Sequence, residues 1–419
     1  LNPALARPMI DGFEIRVKPS TQEFGRKAAF WFVILFGAVS LFADMTYEAA
    51  RSIMGPYLKL LGAGATIVGF VAGFGELIGY AFRIVTGYLA DKTKRYWLLT
   101  ITGYAINLLA VPLLALTGNW WLAAALLVME RFGKAVRNPA RDAMLSYART
   151  QVGSGWTYGL HEALDQIGAV LGPVLVAGVL YLRQNDYRFA FGILLLPALV
   201  SLSLIVIGRF LYPRPADLEV KRWEIGSRGL AKEYWFYMAA VGLIGLGFAD
   251  YPLIAYHFLH RKFFSESTIP VLYAVAMGTD AVSALVFGHL YDRLGVKVLV
   301  PATLISASFA PLVFFGGATA AFIGVIIWGI GMGWQESIMR SVVADMTPKD
   351  RRASAFGVFN AGYGIFWFLG SWILGALYDF AVKAKGSLLP LVIISVAVQI
   401  AAIPFYVYLA KRKAANLTA

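Results

Sequence analysis

Blocks of about 20 mostly apolar residues follow one another along the whole chain, and they constrain its fold more than any other feature. At 1.5 Å per residue, a helix of about 20 residues crosses the ~30 Å hydrocarbon layer of a bilayer. A spanning segment must pair its own backbone polar groups, which favours helices. Because 59% of the 419 residues are hydrophobic and only 15% are charged, the sequence predicts an all-α membrane protein.

Twelve such blocks occur, six before and six after one longer polar stretch. Their predicted bounds are 28–60, 66–89, 96–116, 120–145, 156–182, 189–211, 235–259, 269–290, 296–315, 320–343, 356–382 and 388–410. We therefore predict a cytosolic arm over 1–27, a six-helix bundle over 28–211, a cytoplasmic linker over 212–232, a second six-helix bundle over 233–411, and a cytosolic tail over 412–419. The first 25 residues lack an apolar core before a cleavage site, so we do not expect a signal peptide.

Lysine and arginine are concentrated in alternate connections between the blocks. With the N-terminus inside, about 24 basic residues fall on the cytoplasmic side and about six on the other side. The formal net charge of +13 is therefore a topology signal rather than a nucleic-acid signal. We expect a multi-pass protein of the inner or plasma membrane, with both termini cytoplasmic, a lipid bilayer around it and no nucleic-acid partner.

The residues for several other kinds of chemistry are missing from the sequence. There is no cysteine and there are only four histidines, so a dedicated transition-metal site is not expected. Neither a Gly-x4-Gly-Lys-Ser/Thr phosphate loop nor a His-Glu-x-x-His pair occurs. We expect a monomer with no enzyme activity, no cofactor and no metal.

The two halves of the chain repeat one another. The segment Gly87–Arg95 follows the second block, and Gly288–Lys297 follows the eighth block with matching Gly, Leu and Asp. The first and seventh blocks also match, because Leu41–Asp44 is similar to Gly247–Asp250. Repeated halves are typical of transporters that bind a small-molecule substrate between them near the bilayer midplane. The sequence thus predicts two pseudo-symmetric six-helix bundles.

The segment Gly87–Arg95 resembles the signature between the second and third helices of the major facilitator superfamily, and Gly288–Lys297 resembles a weaker copy of it. The segments 130–142 and 159–173 are similar to a prokaryotic subgroup of permeases and efflux proteins. The resemblance covers essentially the whole chain. It implies the fold of that superfamily and secondary active transport by alternating access.

The resemblance also implies a cytoplasmic latch, in which Asp91 lies against the start of the eleventh span near Ser354–Phe356. Lys92, Thr93 and Lys94 depart from the family pattern, and a purely topogenic basic loop is the alternative. We expect the glycines of the motif to allow close helix approach. The predicted gating residues are Gly87, Asp91, Arg95, Gly288, Asp292 and Arg293.

A glycine–proline motif in the fifth block resembles the antiporter motif of drug and proton exchangers. Its residues are Gly168, Gly172 and Pro173. Proline removes a helix hydrogen bond and glycine removes a side chain, so the motif predicts a bend with tight packing. An ordinary glycine–proline bend is the alternative.

Ionisable side chains at membrane depth cost at least ~2.5–3.5 kcal/mol each on insertion scales, so they are candidates for function. Asp44, Glu48 and Asp165 are the preferred proton carriers, and basic residues near them are partners or anchors for an anionic substrate group. The alternative is that these charges neutralise one another and only hold the bundle together. The candidate proton- and substrate-binding residues are Asp44, Glu48, Arg51, Glu76, Arg83, Glu130, Arg131, Lys134, Arg137, His161, Glu162, Asp165, Asp250, Asp280 and Glu336.

Most of these charges lie in the first half, which therefore supplies most of the predicted polar cavity wall. In the second half, Trp334, Tyr363, Phe366 and Trp367 either form an apolar part of that wall or serve in packing. We predict proton-coupled efflux, by antiport, of small and amphipathic organic compounds. The alternative is a proton-coupled symporter that imports an organic anion or metabolite, which the basic residues of the fourth block favour.

Overall fold

The computed structural model describes residues 21–152, 154–213, 230–347 and 352–418, and these form α-helices without any strand. Most of the predicted arm and linker lie outside the described residues. The helices are α1 (Thr21–Leu60), α2 (Ala65–Thr93), α3 (Tyr96–Leu113), α4 (Trp120–Val152), α5 (Ser154–Leu182), α6 (Tyr187–Ile193), α7 (Leu195–Leu211), α8 (Lys232–Gly247), α9 (Tyr251–Arg261), α10 (Thr268–Leu294), α11 (Leu299–Ala307), α12 (Phe309–Phe315), α13 (Ala318–Met346), α14 (Arg352–Lys383), α15 (Leu389–Ile400) and α16 (Ile403–Thr418).

These helices follow the twelve predicted blocks. Eight blocks are single helices, namely α1 to α5, α10, α13 and α14. The other four are pairs of shorter helices in series: α6 with α7, α8 with α9, α11 with α12, and α15 with α16. Short 3-10 turns extend α3 over Leu114–Leu116 and precede α11 over Gly295–Val298.

Ten stretches of the described chain are long and apolar enough to cross a membrane. Helix α4 is not among them because Glu130, Arg131, Lys134 and Arg137 lie in its apolar part. The stretch Thr268–Phe315 contains 48 residues, or about 72 Å of helix, which exceeds one crossing. It divides at Gly295, which has a φ of +59°. Ten stretches are therefore consistent with twelve spans in two six-helix bundles.

The seventh span is broken, although the sequence predicts one uninterrupted helix over 235–259. Helix α8 ends at Gly247, and α9 begins at Tyr251 with the Asp250 carboxylate accepting the Tyr251 backbone N–H at 2.8 Å. Pro252 is the second residue of α9, where its missing N–H is tolerated. The matching segment around Asp44 lies inside the continuous α1, where residue 46 is a threonine instead of a proline.

Backbone carbonyls freed by this break are paired with side chains of other helices. The Gly247 carbonyl accepts from Ser395 Oγ at 2.6 Å and from Gln399 Nε2 at 3.2 Å, and the Ala249 carbonyl accepts from Trp328 Nε1 at 2.9 Å. Irregular backbone at membrane depth needs such internal partners. The break is therefore a built feature of the second half, and it places Asp250 at a helix start in the middle of the bundle.

The helix ends lie on two faces of the molecule. One, which we name the termini face, brings the start of α1 to the end of α7, where Phe32 and Tyr212 have ring centroids 5.1 Å apart. On the same face the Arg412 guanidinium bonds Glu233 at 2.7 Å. The other, the opposite face, holds the ends of α1 and α3, where the Tyr57 hydroxyl contacts Thr117 Oγ1 at 2.8 Å.

The two halves meet along α2 with α14, α5 with α10, and α1 with α9. Helices α2 and α14 run antiparallel, because Gly375 packs on the Ala65 backbone, Gly69 on the Ser371 backbone and Gly357 beside Ile84. A Cβ at Gly69 or Gly375 would collide with the partner backbone. Small residues thus allow close contact between the halves, and the contact is tightest toward the opposite face.

Candidate substrate and proton site

A central cavity of about 220 Å³ lies between the two halves. Helices α1, α2, α4 and α5 line it from the first half, and α10, α13 and α14 line it from the second. Its ionisable lining residues are Asp44, Glu48, Arg51, Glu76, Arg83, Arg131, Lys134, Arg141, Asp142, Glu162, Asp165, Asp280, Glu336 and Arg340. Eleven of these come from the first half and three from the second, as the sequence predicts for the polar wall.

The cavity reaches toward the termini face. Asp142, Glu162 and Arg340 lie in the parts of α4, α5 and α13 nearest that face, and all three are exposed. Toward the opposite face the cavity ends at inter-half contacts. Gly55 of α1 packs directly on the Pro252 backbone of α9, where any side chain would collide. The site is therefore open on one face and sealed on the other.

A chain of five buried charges crosses from the second half into the first. Arg51 bonds Asp250 at 2.9 Å and Glu76 at 3.1 Å. Arg131 then bonds Glu76 at 3.4 Å and Glu130 at 3.3 Å. Asp250 and Glu130 line a smaller cavity of about 20 Å³ next to the central one. Each of these five residues has an oppositely charged partner, although three carboxylates and two guanidinium groups leave a formal excess of one negative charge. The Arg51–Asp250 bond joins the two halves.

Two acidic residues of α1 are buried without a basic partner among the described residues. Asp44 and Glu48 are each 8% exposed. The Tyr47 hydroxyl donates to Asp44, and the Tyr273 hydroxyl of α10 donates to Glu48 Oε2 at 2.5 Å. The Lys134 ammonium lies 4.0 Å from the centroid of the Tyr47 ring, behind that hydroxyl. Glu48 therefore sits in a contact that joins the two halves.

Asp165, the third preferred proton carrier, forms a relay with two neighbours. Its Oδ2 lies 3.3 Å from His161 Nδ1, and His161 Nε2 lies 3.0 Å from Ser40 Oγ of α1. His161 does not line the central cavity, which corrects its assignment as a binding residue. It is a partnered polar group that links α5 to α1. Within the described ranges, no cluster of three or more histidine, aspartate or glutamate residues is arranged to hold a metal.

Arg137 also does not reach the cavity, contrary to the sequence-based assignment. It is fully buried between α4 and α3, with its guanidinium carbon 4.1 Å from the centroid of the Tyr104 ring. Its nitrogens have no hydrogen-bond partner in the part of the chain that the structure describes. Gly103 allows this approach, since a Cβ there would meet the Arg137 backbone. Its contacts are cation–π packing instead of substrate binding.

The aromatic part of the wall is smaller than the sequence suggests. Tyr363 and Trp367 of α14 line the cavity, and Trp367 Nε1 donates to Asp250 Oδ2 at 3.4 Å. Trp334 is fully buried away from the cavity, and Phe366 packs on Gly242. Phe359 and the methionines Met277, Met332 and Met339 add apolar surface to the part of the wall that the second half supplies.

The predicted latch has no contact among the residues that the structure describes. Asp91 is exposed, and it has no hydrogen bond or ion pair with any residue that the structure describes. The side chain of Ser354 lies outside the described residues, so the latch stays a prediction for a state closed on this face. Arg95, Asp292 and Arg293 are exposed as well.

The glycines of the two loop motifs do not lie at close helix contacts here, which corrects that expectation. A Cβ on Gly87 would meet Pro139 at an ordinary 3.6 Å, and a Cβ on Gly288 would meet nothing within 4 Å. The motif therefore identifies the loop between two helices, but it does not predict close helix packing there in this conformation.

An unpredicted carboxylate forms the latch that is present. Asp379, near the end of α14, accepts the backbone N–H of Ala65 at 2.9 Å and of Thr66 at 2.8 Å, together with the Thr66 hydroxyl at 2.6 Å. It caps the start of α2, where Gly64 offers no side-chain cap. A sequence signal exists, since Gly375–Asp379 repeats the Gly-x-Leu-x-Asp pattern of Gly87–Asp91.

The glycine–proline motif packs tightly against α1. A Cβ on Gly168 would collide with the Leu41 carbonyl, and one on Gly172 would collide with the Met45 carbonyl. Helix α5 continues through Pro173 to Leu182. The close approach is therefore present, and an antiporter role for the motif stays a prediction.

Replacing Gly172 with Val should destabilise the protein, because the added methyl groups would push α5 away from the α1 backbone. Overpacking of this kind costs about 1–3 kcal/mol, and we expect a lower Tm for the purified protein. Gly178→Val is the matched control, since a Cβ at Gly178 meets nothing within 4 Å. An equal Tm for the two variants would contradict the tight contact.

Comparison with known proteins decides the family. Residues 34–371, and in a second match residues 234–418, fit the family model described as Major Facilitator Superfamily. The chain belongs to the Major Facilitator Superfamily. An uncharacterized protein of Mycobacterium tuberculosis is 40% identical to this transporter over 382 residues, which cover 90% of this chain and 92% of that protein.

Two further comparisons bear on fold and kind of protein. The gentisate transporter of Corynebacterium glutamicum is 23% identical over 372 residues, covering 83% of this chain and 77% of that transporter. Among solved structures, the nucleoside transporter NupG has a TM-score of 0.68 at 15% identity, over 93% of this chain and 99% of NupG. The two-bundle fold of this membrane transporter is thus shared with NupG.

Proposed function

We propose that this protein is a secondary active transporter that works by alternating access and binds its substrate in the central cavity. The observation that carries the proposal is the asymmetry of that cavity. Both halves line it, its charged residues are exposed toward the termini face, and inter-half contacts seal the opposite face. Rocking of the halves would exchange the open and sealed faces.

Two latches of the same design would alternate in this cycle. In the present state Asp379 of α14 holds the start of α2 at the opposite face, while Asp91 of α2 is exposed at the termini face and has no partner among the described residues. Because α2 and α14 run antiparallel, Asp91 would face the start of α14 in the other state. Each latch pairs a carboxylate with the positive end of a helix. By the distribution of lysine and arginine, the termini face is cytoplasmic.

Protons are the coupling ion in this proposal, and Asp44 and Glu48 carry them. A buried carboxylate without a basic partner is costly as an anion, so a proton relieves that cost. The Tyr273–Glu48 hydrogen bond connects one of these carboxylates to the other half. The protonation state of Glu48 would thereby bias which face is open.

We propose efflux by proton antiport as the direction of transport. The tight packing of Gly168 and Gly172 on α1 supports it, because this motif resembles that of proton exchangers. The polar lining points to small polar organic compounds instead of large amphipathic ones. Import of an organic anion by symport is the second candidate. It is favoured by the unpaired cations Arg83 and Arg340 and by the likeness to a gentisate transporter over 83% of the chain.

Proteoliposomes with an imposed pH gradient separate these two directions. We use 4-aminobutyrate and gentisate as test solutes and follow both internal pH and radiolabelled solute. Antiport predicts that solute and protons cross the membrane in opposite directions, and that adding solute dissipates the pH gradient. Solute that crosses in the same direction as the protons and accumulates on the side they enter supports symport. Solute movement that is the same with and without a gradient contradicts proton coupling.

A further inference from the structure

Three sets of charges in the central cavity are already accounted for: the ion pairs, the proton-bearing residues of α1, and Lys134, which lies on the Tyr47 ring. Two further groups have no ion-pair partner among the described residues. The acidic group is Glu162, Asp280 and Glu336, and the basic group is Arg83 and Arg340. None of these five residues forms an ion pair with any side chain that the structure describes. Opposite charges that share one cavity without forming a close ion pair point to a ligand that satisfies both.

The acidic group is centred on Asp280 of α10, which is 2% exposed. Its Oδ1 faces the cavity region and has no hydrogen-bond partner among the described residues. The charges that act most strongly on Asp280 are those of Glu336, Glu162 and Glu48, all carboxylates. A buried acceptor with only like charges around it lacks a cationic donor. An ammonium, with three N–H donors, supplies one.

The basic group joins two guanidinium groups from different halves. Arg83 of α2 donates its Nε–H to the Gly79 carbonyl at 2.9 Å, and its guanidinium carbon lies 4.9 Å from the centroid of the Tyr80 ring. These contacts orient the side chain and leave its terminal nitrogens without a hydrogen-bond partner in the described ranges. Arg340 of α13 is exposed and has no hydrogen bond within those ranges. The Arg340 guanidinium is a nearby like charge for Arg83. Guanidinium groups bind carboxylates with paired, parallel hydrogen bonds.

The spacing of the two groups sets the length of the ligand. Glu336 and Arg340 lie one turn apart on α13, which is about 6 Å along the helix axis. Each group takes residues from both halves of the transporter. A ligand with two opposite charges about 6 Å apart would therefore contact both halves at each of its ends.

We propose that the central cavity binds a small zwitterion, with its ammonium group at Glu162, Asp280 and Glu336 and its acid group at Arg83 and Arg340. This inference rests on the proposed function and names the substrate class of the same cavity. Such a ligand links the two halves, so its binding favours the states in which they are closest. Compounds with only one of the two charges satisfy half of the site.

Thermal unfolding of the purified protein tests the inference without any transport step. The probes are 4-aminobutyrate, whose ammonium and carboxylate are separated by three methylene groups, and its singly charged counterparts n-butylamine and butyrate. Glycine and 6-aminohexanoate vary the charge separation. We expect 4-aminobutyrate to raise the Tm more than either singly charged compound and to bind about tenfold or more tightly than either.

Two variants assign the ends of the ligand. Glu336→Gln should remove the advantage of 4-aminobutyrate over butyrate, and Arg340→Gln should remove its advantage over n-butylamine. Arg188→Gln is the matched control, because Arg188 is exposed in α6 outside the cavity. It should bind 4-aminobutyrate as the unaltered protein does. This pattern depends on which charge is removed, so a general loss of stability would not produce it.

The other outcomes overturn the inference in distinguishable ways. A Tm shift by n-butylamine equal to that by 4-aminobutyrate indicates an organic-cation site, and an equal shift by butyrate indicates an anion site. If no ω-amino acid shifts the Tm while the two faces still open in alternation, the zwitterion assignment is wrong and the proposed function stands. If the faces do not alternate, the proposed function fails independently of these ligands.

Discussion

Asp44→Asn should reduce proton-coupled solute flux to background while solute exchange at equal pH continues. Asparagine keeps the shape of the side chain and an oxygen that accepts from Tyr47. It cannot take up or release a proton, so the coupled step is lost and binding is retained. The measurement is internal pH in proteoliposomes after addition of 4-aminobutyrate or gentisate, alongside exchange of the same radiolabelled solute.

Asp186→Asn is the control for this variant. Asp186 caps α6 by accepting the Phe189 backbone N–H at 3.0 Å, outside the cavity, and asparagine caps a helix equally well. Its coupled flux should match that of the unaltered protein. Coupled flux of normal size in Asp44→Asn would remove this residue from the proton pathway. Glu48→Gln and Asp165→Asn then test the other two carboxylates in the same assay.

Asp379→Ala should open the opposite face more often. The substitution removes two backbone caps and one hydroxyl bond that hold α14 to the start of α2. Loss of one cap costs about 0.5–2 kcal/mol, and 1.4 kcal/mol is a factor of about ten in population. We therefore expect about a tenfold rise in accessibility within the seal.

Thiol labelling measures this change directly, because the chain contains no cysteine. Ser371→Cys places a thiol where the side chain is 1% exposed, against Gly73 of α2. A membrane-impermeant reagent added at the opposite face should react with it faster in the Asp379→Ala background. The control background is Asp186→Ala, which removes a helix cap within the first half only. Equal labelling rates in both backgrounds would contradict the latch.

The positions of the membrane spans follow from composition alone, because each apolar block must pair its own backbone in lipid. The break in the seventh span was missed even though Pro252 signals it, since proline at the second position starts a helix. The matching segment at Asp44 lies in a continuous helix, so the match between the halves does not extend to the backbone. The sequence repeat therefore predicts that these two aspartates occupy equivalent positions in the two halves, but it does not predict their backbone conformation.

The sequence predicts which charged residues lie near the site better than it predicts which partners they contact. On α4, charges occur on two faces: Arg131 and Lys134 line the cavity, whereas Glu130 and Arg137 turn toward α3. Helical spacing groups Glu130, Lys134 and Arg137 on one stripe, so the sequence cannot separate the faces. Packing does so, because Gly103 of α3 lets the α4 backbone approach at Arg137, whose guanidinium then lies on the Tyr104 ring of α3.

Contacts between the halves are beyond any local pattern. Arg51 and Asp250 are 199 positions apart, and Glu48 and Tyr273 are 225 positions apart. The Asp379 latch depends on the antiparallel register of α2 and α14, although its Gly-x-Leu-x-Asp pattern is visible in the sequence. Such pairs determine which face is sealed, so the conformational state of the protein depends on them.

Distances between spin labels on the two faces test alternating access most directly. One pair replaces Leu60 and Arg261 at the opposite face, and the other replaces Lys92 and Arg293 at the termini face; all four residues are exposed. Across a change of pH or addition of 4-aminobutyrate, the account predicts that one distance lengthens while the other shortens, and that Asp379→Ala lengthens the opposite-face distance. Two distances that rise and fall together, or that stay constant under all these conditions, would contradict it.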